Sequence, residues 1–68
     1  MAVVYNQFLE EALQFCATEG IDTKVYDDLN RRKLHEHMFE FMKKFYYDAH
    51  EVNQKCRMFE QRFWRENI

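Results

Sequence analysis

The sequence predicts an all-α protein: a helical hairpin with one short N-terminal helix and one long C-terminal helix, assembled as a dimeric helical bundle. Three observations carry that expectation. Across 68 residues there is no proline and a single glycine, so little interrupts helix formation. Apolar side chains recur at three-and-four spacing over most of the chain, which is how a helix with one buried face is written. Finally, 47% hydrophobic and 18% aromatic content with a net charge of only −2 is the composition of a folded chain, not a disordered one. The length fits one domain, residues 1–68, and a chain of this size leaves much of its surface wet.

The first helix is expected over about residues 3–18. Tyr5, Phe8, Leu9, Ala12, Leu13, Phe15 and Cys16 fall on one broad stripe, with Asn6, Gln7, Glu10, Glu11 and Gln14 between them. Gly20 then stands where a helix C-cap favours a left-handed residue, and Ile21 beyond it can fold back onto the last turn. A turn is expected over about residues 19–23, where Asp22 or Thr23 can cap the next helical segment. Val25, Tyr26 and Leu29 allow a short helix over residues 24–30.

The long helix is expected over about residues 31–66. Met42, Phe45, Ala49, Val52, Cys56, Phe59 and Phe63 are spaced 3, 4, 3, 4, 3, 4, an apolar heptad seam held over three repeats. In its first half, around HMFEFMKKFYYDAH, the apolar arc is wide; beyond residue 52 it narrows to the seam. Such a helix would be about 54 Å long, against ~24 Å for the first helix. The short partner covers less than half of it. The uncovered seam is therefore expected to self-associate through those seven residues, most simply as a two-fold dimer.

Charge is split along the chain. Residues 1–30 hold six acids against Lys24 alone, a net of −5, and residues 31–68 hold nine Lys/Arg against six acids, a net of +3. That polarity can orient association. Cys16 and Cys56 form no CxxC pair or disulfide-scaffold spacing. The opening MAVVYNQFLEE lacks the basic start and apolar core of a signal peptide, and no uncharged run approaches the ~20 residues of a membrane span. The expectation is a soluble, cytoplasmic protein with free thiols and no membrane partner.

Catalytic machinery is scarce. The chain has no serine, no glycine-rich phosphate loop and no strand to carry a nucleophile elbow, and Cys56 falls on the apolar seam, where burial makes a thiol inert. In HEHMFE, His35 and His37 point to different sides of a helix, and HExxH is absent. No enzymatic activity, metal or cofactor is expected.

What remains is binding. Tyr47, Arg57, Met58, Phe59, Arg62, Phe63 and Trp64 make an aromatic and arginine-rich end of the kind enriched at interface hot spots. The expected function is a small protein-binding factor (inhibitor, adaptor or regulator) that presents this face to a larger protein target. Small proline-free, aromatic-rich chains of this kind are similar, as a class, to accessory proteins by which bacteriophages inhibit host machinery. One alternative is a DNA-binding regulator. Residues 12–31, with Cys16, Gly20, Ile21, Tyr26 and Leu29, resemble the spacing of a helix-turn-helix, although Glu19, Asp27 and Asp28 oppose phosphate contact and a pI near 5.9 is low for such a domain. A second alternative is a structural assembly subunit.

Overall fold

Three helices of similar length make up the protein, in the order α1 (Ala2–Glu19), α2 (Asp28–Met42) and α3 (Ala49–Asn67). The computed structural model describes the backbone of residues 2–67 and the side chains of residues 5–67. Met1 and Ile68, the ends of the expected domain, lie outside the described residues. Among the described residues there is no strand, and no helix is long and apolar enough to cross a membrane.

Helix α1 forms where the apolar stripe lies, burying Phe8, Ala12 and Cys16 at i, i+4, i+8. It ends on Gly20 at φ 70°, with Ile21 N donating to Cys16 O at 2.8 Å and Gly20 N to Ala17 O at 3.4 Å. This pair of bonds is a Schellman cap, which satisfies two carbonyls the helix end would otherwise leave open. Ile21 is buried against the core, as its position beyond the glycine predicts. Leu13, counted among the apolar stripe, is substantially exposed instead.

Residues 24–30 do not form a separate helix. Asp22 closes a local turn, accepting from Lys24 N at 2.9 Å, and residues 21–27 run as loop. The cap of the next helix is Asp27, whose carboxylate accepts from Asn30 N at 2.8 Å. The connection from Glu19 to Asp28 is longer than the three-to-four-residue turn of a helix-turn-helix, and Tyr26 lies in the loop rather than on a second helix.

The expected long helix over residues 31–66 is two helices, so the hairpin of one short and one long helix is corrected to a three-helix bundle. The chain breaks over residues 43–48. Phe45 N and Lys44 N reach back only three residues, to Met42 O at 2.9 Å and Phe41 O at 3.2 Å, the tightening of a terminal turn. Asp48 then caps α3, accepting from His50 N at 2.9 Å through its side chain and from Val52 N at 2.9 Å through its carbonyl. Glu51 in the first turn and Arg65 in the last favour the helix dipole.

Geometry explains why the break wins. At ~1.5 Å per residue the helices are about 27, 22 and 28 Å long, matched to the 30 Å long axis of the molecule. Folding α3 back lets Val52, Cys56, Phe59 and Phe63 meet Leu34, Met38 and Met42 in one core with α1. Burying each large apolar side chain is worth about 1.5–3 kcal/mol, which outweighs the few helical hydrogen bonds given up at the bend. Because Met42, Val52, Cys56, Phe59 and Phe63 of the seam are buried within one chain, a second chain is not needed to cover them, and only Phe45 and Ala49 of the seven are left exposed.

The candidate partner-binding groove

Helix α3 has two faces with opposite fates. Val52, Cys56, Phe59 and Phe63 point into the core, with Phe63 fully buried and its ring 5.6 Å from that of Phe59. Cys56 Sγ donates toward Met42 Sδ at 3.5 Å. Burial, with the Glu60 carboxylate adding to it, pushes the Cys56 thiol up to about 12; burial raises Cys16 as well. Neither is a reactive thiolate at neutral pH. Phe59 and Phe63, expected at a partner surface, are core residues of the single chain.

On the other face, Arg57, Glu60, Gln61, Trp64 and Arg65 of α3 meet Tyr26 of the first loop and Arg31 of α2 around a shallow groove of about 690 Å³. Trp64 forms its floor, only 5% exposed, with its ring edge-on to Phe63 at 5.2 Å and to Tyr26 at 5.7 Å. Tyr26 is 55% exposed, and the Arg31 guanidinium lies 4.9 Å from its ring centroid, a cation–π contact that holds the loop against α2. Arg31 also pairs with Asp28 at 3.0 Å. Among the described residues, Arg57 and Arg65 form no salt bridge at all. Met58, 65% exposed, shares a helix face with Gln61 and Arg65 at i, i+3, i+7 and so flanks the groove.

The one carboxylate in this groove is turned to another use. Glu60 Oε2 lies 2.7 Å from His35 Nδ1 across the α2–α3 interface. Burial pushes its carboxyl above the ordinary range, with His35 and Arg31 pulling the other way. His37 plays the matching role toward α1, 2.7 Å from Glu11 and stacked on Phe15 at 4.0 Å between ring centroids. Both histidines are thus tied to helix packing, and among the described residues no three His, Cys, Asp or Glu side chains are grouped to hold a metal ion.

The remaining expected site residues lie elsewhere. Arg62 covers the Tyr5 ring at 3.7 Å and donates to Glu66 at 2.9 Å, while Tyr5 donates to the same carboxylate at 3.0 Å. That cluster ties the end of α3 to α1. The hydrogen bond from Arg62, then that from Tyr5, holds the Glu66 carboxyl below its usual value. Tyr47 is fully exposed in the α2–α3 loop and does not line the groove. Of the expected interface, the structure gathers Arg57 and Trp64 in the groove with Met58 on its flank. Tyr26, Arg31, Gln61 and Arg65 were not foreseen there. The row Arg57, Gln61, Arg65 at i, i+4, i+8 was readable on α3, but Tyr26 reaches the groove only through the path of its loop. Comparison with protein-family models, curated proteins and solved structures returns no match.

Proposed function

We propose that this protein is a small non-enzymatic binding factor, an inhibitor, adaptor or regulator, that docks on a larger protein through the groove between α2 and α3. The observation that supports this reading is the pairing of two arginines that form no salt bridge among the described residues, Arg57 and Arg65, with an aromatic floor of Trp64 and Tyr26. Unpaired cations beside apolar rings are poor stability devices, and arginine, tyrosine and tryptophan are the side chains that anchor protein interfaces. Met58 adds a flexible apolar contact that can adapt to a partner. The class resemblance to bacteriophage accessory proteins fits a factor of this size that works by occupying a host surface.

A photo-crosslinker placed at Met58, compared with one at the exposed Gln14 on α1, tests the reading in an extract of the cells the protein comes from. A discrete crosslinked product from position 58 alone, lost on Arg57→Ala with Arg65→Ala, is expected. Identical products from both positions would remove the groove from consideration.

A further inference from the structure

We infer that the groove seats an acidic segment of a different protein, its carboxylates pairing with Arg57 and Arg65 while an apolar side chain rests against Trp64 and Tyr26. This rests on the groove being the binding surface and adds the chemistry of its occupant. Charge complementarity selects that occupant. Arg57 and Arg65 stand eight residues apart on one helix, about 12 Å along its axis, with Gln61 between them to meet a backbone amide or carbonyl. Glu60 is held by His35 at 2.7 Å and Arg31 is already paired with Asp28, so the two groove arginines without a salt bridge among the described residues set the demand: a few carboxylates, not a long polyanion. Arginine meets a carboxylate through two parallel hydrogen bonds, which fixes orientation as well as charge.

Two other occupants fit less well. A second copy would have to supply the acids, yet among the described residues only Glu10, Glu19, Glu36 and Glu51 have no bonded partner, against eight that do. Glu11 is bonded to His37, Asp22, Asp27 and Asp48 hold turns and caps, and Glu66 is bonded to Arg62. The acidic depression at Glu19, Glu36 and Glu40 also carries Lys33, with Lys43 bonded to Glu40 at 3.0 Å. A nucleic acid would run its phosphates past Glu60 and Asp28 and needs a longer stripe of cations than Arg57 and Arg65, even with Arg32 in the adjoining depression.

Trp64 is the only tryptophan in the chain, so its fluorescence reports the groove directly. The experiment titrates the whole protein with a short synthetic peptide of glutamates around a leucine and a phenylalanine, and with the same peptide bearing lysines in place of glutamates. A single-stranded oligonucleotide is the third probe. A saturable change with the acidic peptide alone is expected, weakening as salt is raised and falling roughly tenfold or more in affinity in Arg57→Glu with Arg65→Glu. Helicity recorded on the same samples shows that this variant is folded; Arg57→Gln with Arg65→Gln, which removes charge without reversing it, gives the same loss if the pairing is real. No response to the acidic peptide, or an equal response to the oligonucleotide, overturns the proposal. So does self-association, seen by light scattering, that the same substitutions abolish, because it would give the groove to a second copy. A position-specific crosslink from Met58 surviving such a failure would keep the groove as a binding surface with a differently charged partner.

Discussion

The two faces of α3 are built from the same nineteen-residue helix and do opposite things. One face, Val52, Cys56, Phe59 and Phe63, supplies much of the core and touches no solvent to speak of. The other, Arg57, Gln61 and Arg65 with Met58 beside it, is exposed, and among the described residues its arginines make no salt bridge. Trp64 sits on the border, buried in the core and yet flooring the groove. The difference teaches that seven-residue periodicity locates the side chains that stabilise this protein, whereas the proposed partner surface is picked out by arginines without a salt bridge standing beside aromatic rings in one groove.

Substitutions should separate the two faces sharply. Phe63→Ala empties a fully buried site and is expected to cost about 3–5 kcal/mol, a large share of the stability of a domain this small. Urea denaturation should show the variant largely unfolded. Arg57→Ala and Arg65→Ala should leave the midpoint within about 0.5 kcal/mol of the parent. A destabilisation of the arginine variants comparable to that of Phe63→Ala would mean the groove is structural after all.

Next in size come the devices that bend the chain. Asp48→Ala removes the cap that starts α3 and should cost about 1 kcal/mol, with Asp48→Asn retaining most of it. Gly20→Ala meets no neighbouring atom but places a side chain at φ 70°, at a cost of about 1–2 kcal/mol. Both are read from thermal or urea melts. No loss in Asp48→Ala would show that the bend is held by burial of the seam alone.

The two loops also show what the sequence does and does not carry. The end of α1 was legible because a glycine marks it and Ile21 stands next in the position the cap requires. The bend at residues 43–48 has no glycine or proline. Six connecting residues hold Met42 and Val52 close to the phase a continuous helix would give, so the heptad pattern runs straight across a break it cannot register. Phe45 and Ala49, the two seam positions that fall in or next to the bend, are the ones left exposed. The local signal was Asp48 with Glu51 three residues later, an N-terminal pattern of the capping-box kind, beside three aromatic residues of modest helix propensity. What periodicity could not supply was the length comparison: three helices of similar span bury more than one long helix and one short.

For the candidate site, residue types were legible and their neighbours were not. Arg57, Met58 and Trp64 fall together because they share a helix. Phe59 and Phe63 lie within the same stretch of sequence but on the opposite face once α3 folds back. Tyr26 and Arg31 join the groove from more than thirty positions away from Trp64, a proximity only the tertiary fold creates.

The chemistry of the buried face gives two smaller tests. Cys16 and Cys56, both raised by burial, should react with a thiol reagent only as fast as the protein opens, and completely in denaturant. Rapid reaction of Cys56 in the native protein would expose the seam. Glu60 gives the smallest effect. Its carboxyl, raised chiefly by burial, binds its proton more tightly in the folded chain than in the unfolded one. Its contribution to stability is therefore fully present below the ordinary carboxyl range and is lost as pH rises through the raised value. Glu60→Gln should flatten that slope in urea titrations at a series of acidic pH values; an unchanged slope would place the titrating group elsewhere.

The most direct measurement is the distance between spin labels on Arg32→Cys and Arg65→Cys, with labelled chains diluted in unlabelled chain so that only separations within one molecule are read. The native cysteines are buried and stay unlabelled. If α3 folds back on α2, the two labels must lie within the dimensions of the molecule, whose longest extent is 30 Å. A distribution centred near 50 Å, the span of an unbroken helix between those positions at ~1.5 Å per residue, would contradict the bundle, release the seam, and dissolve the groove that α2 and α3 form together.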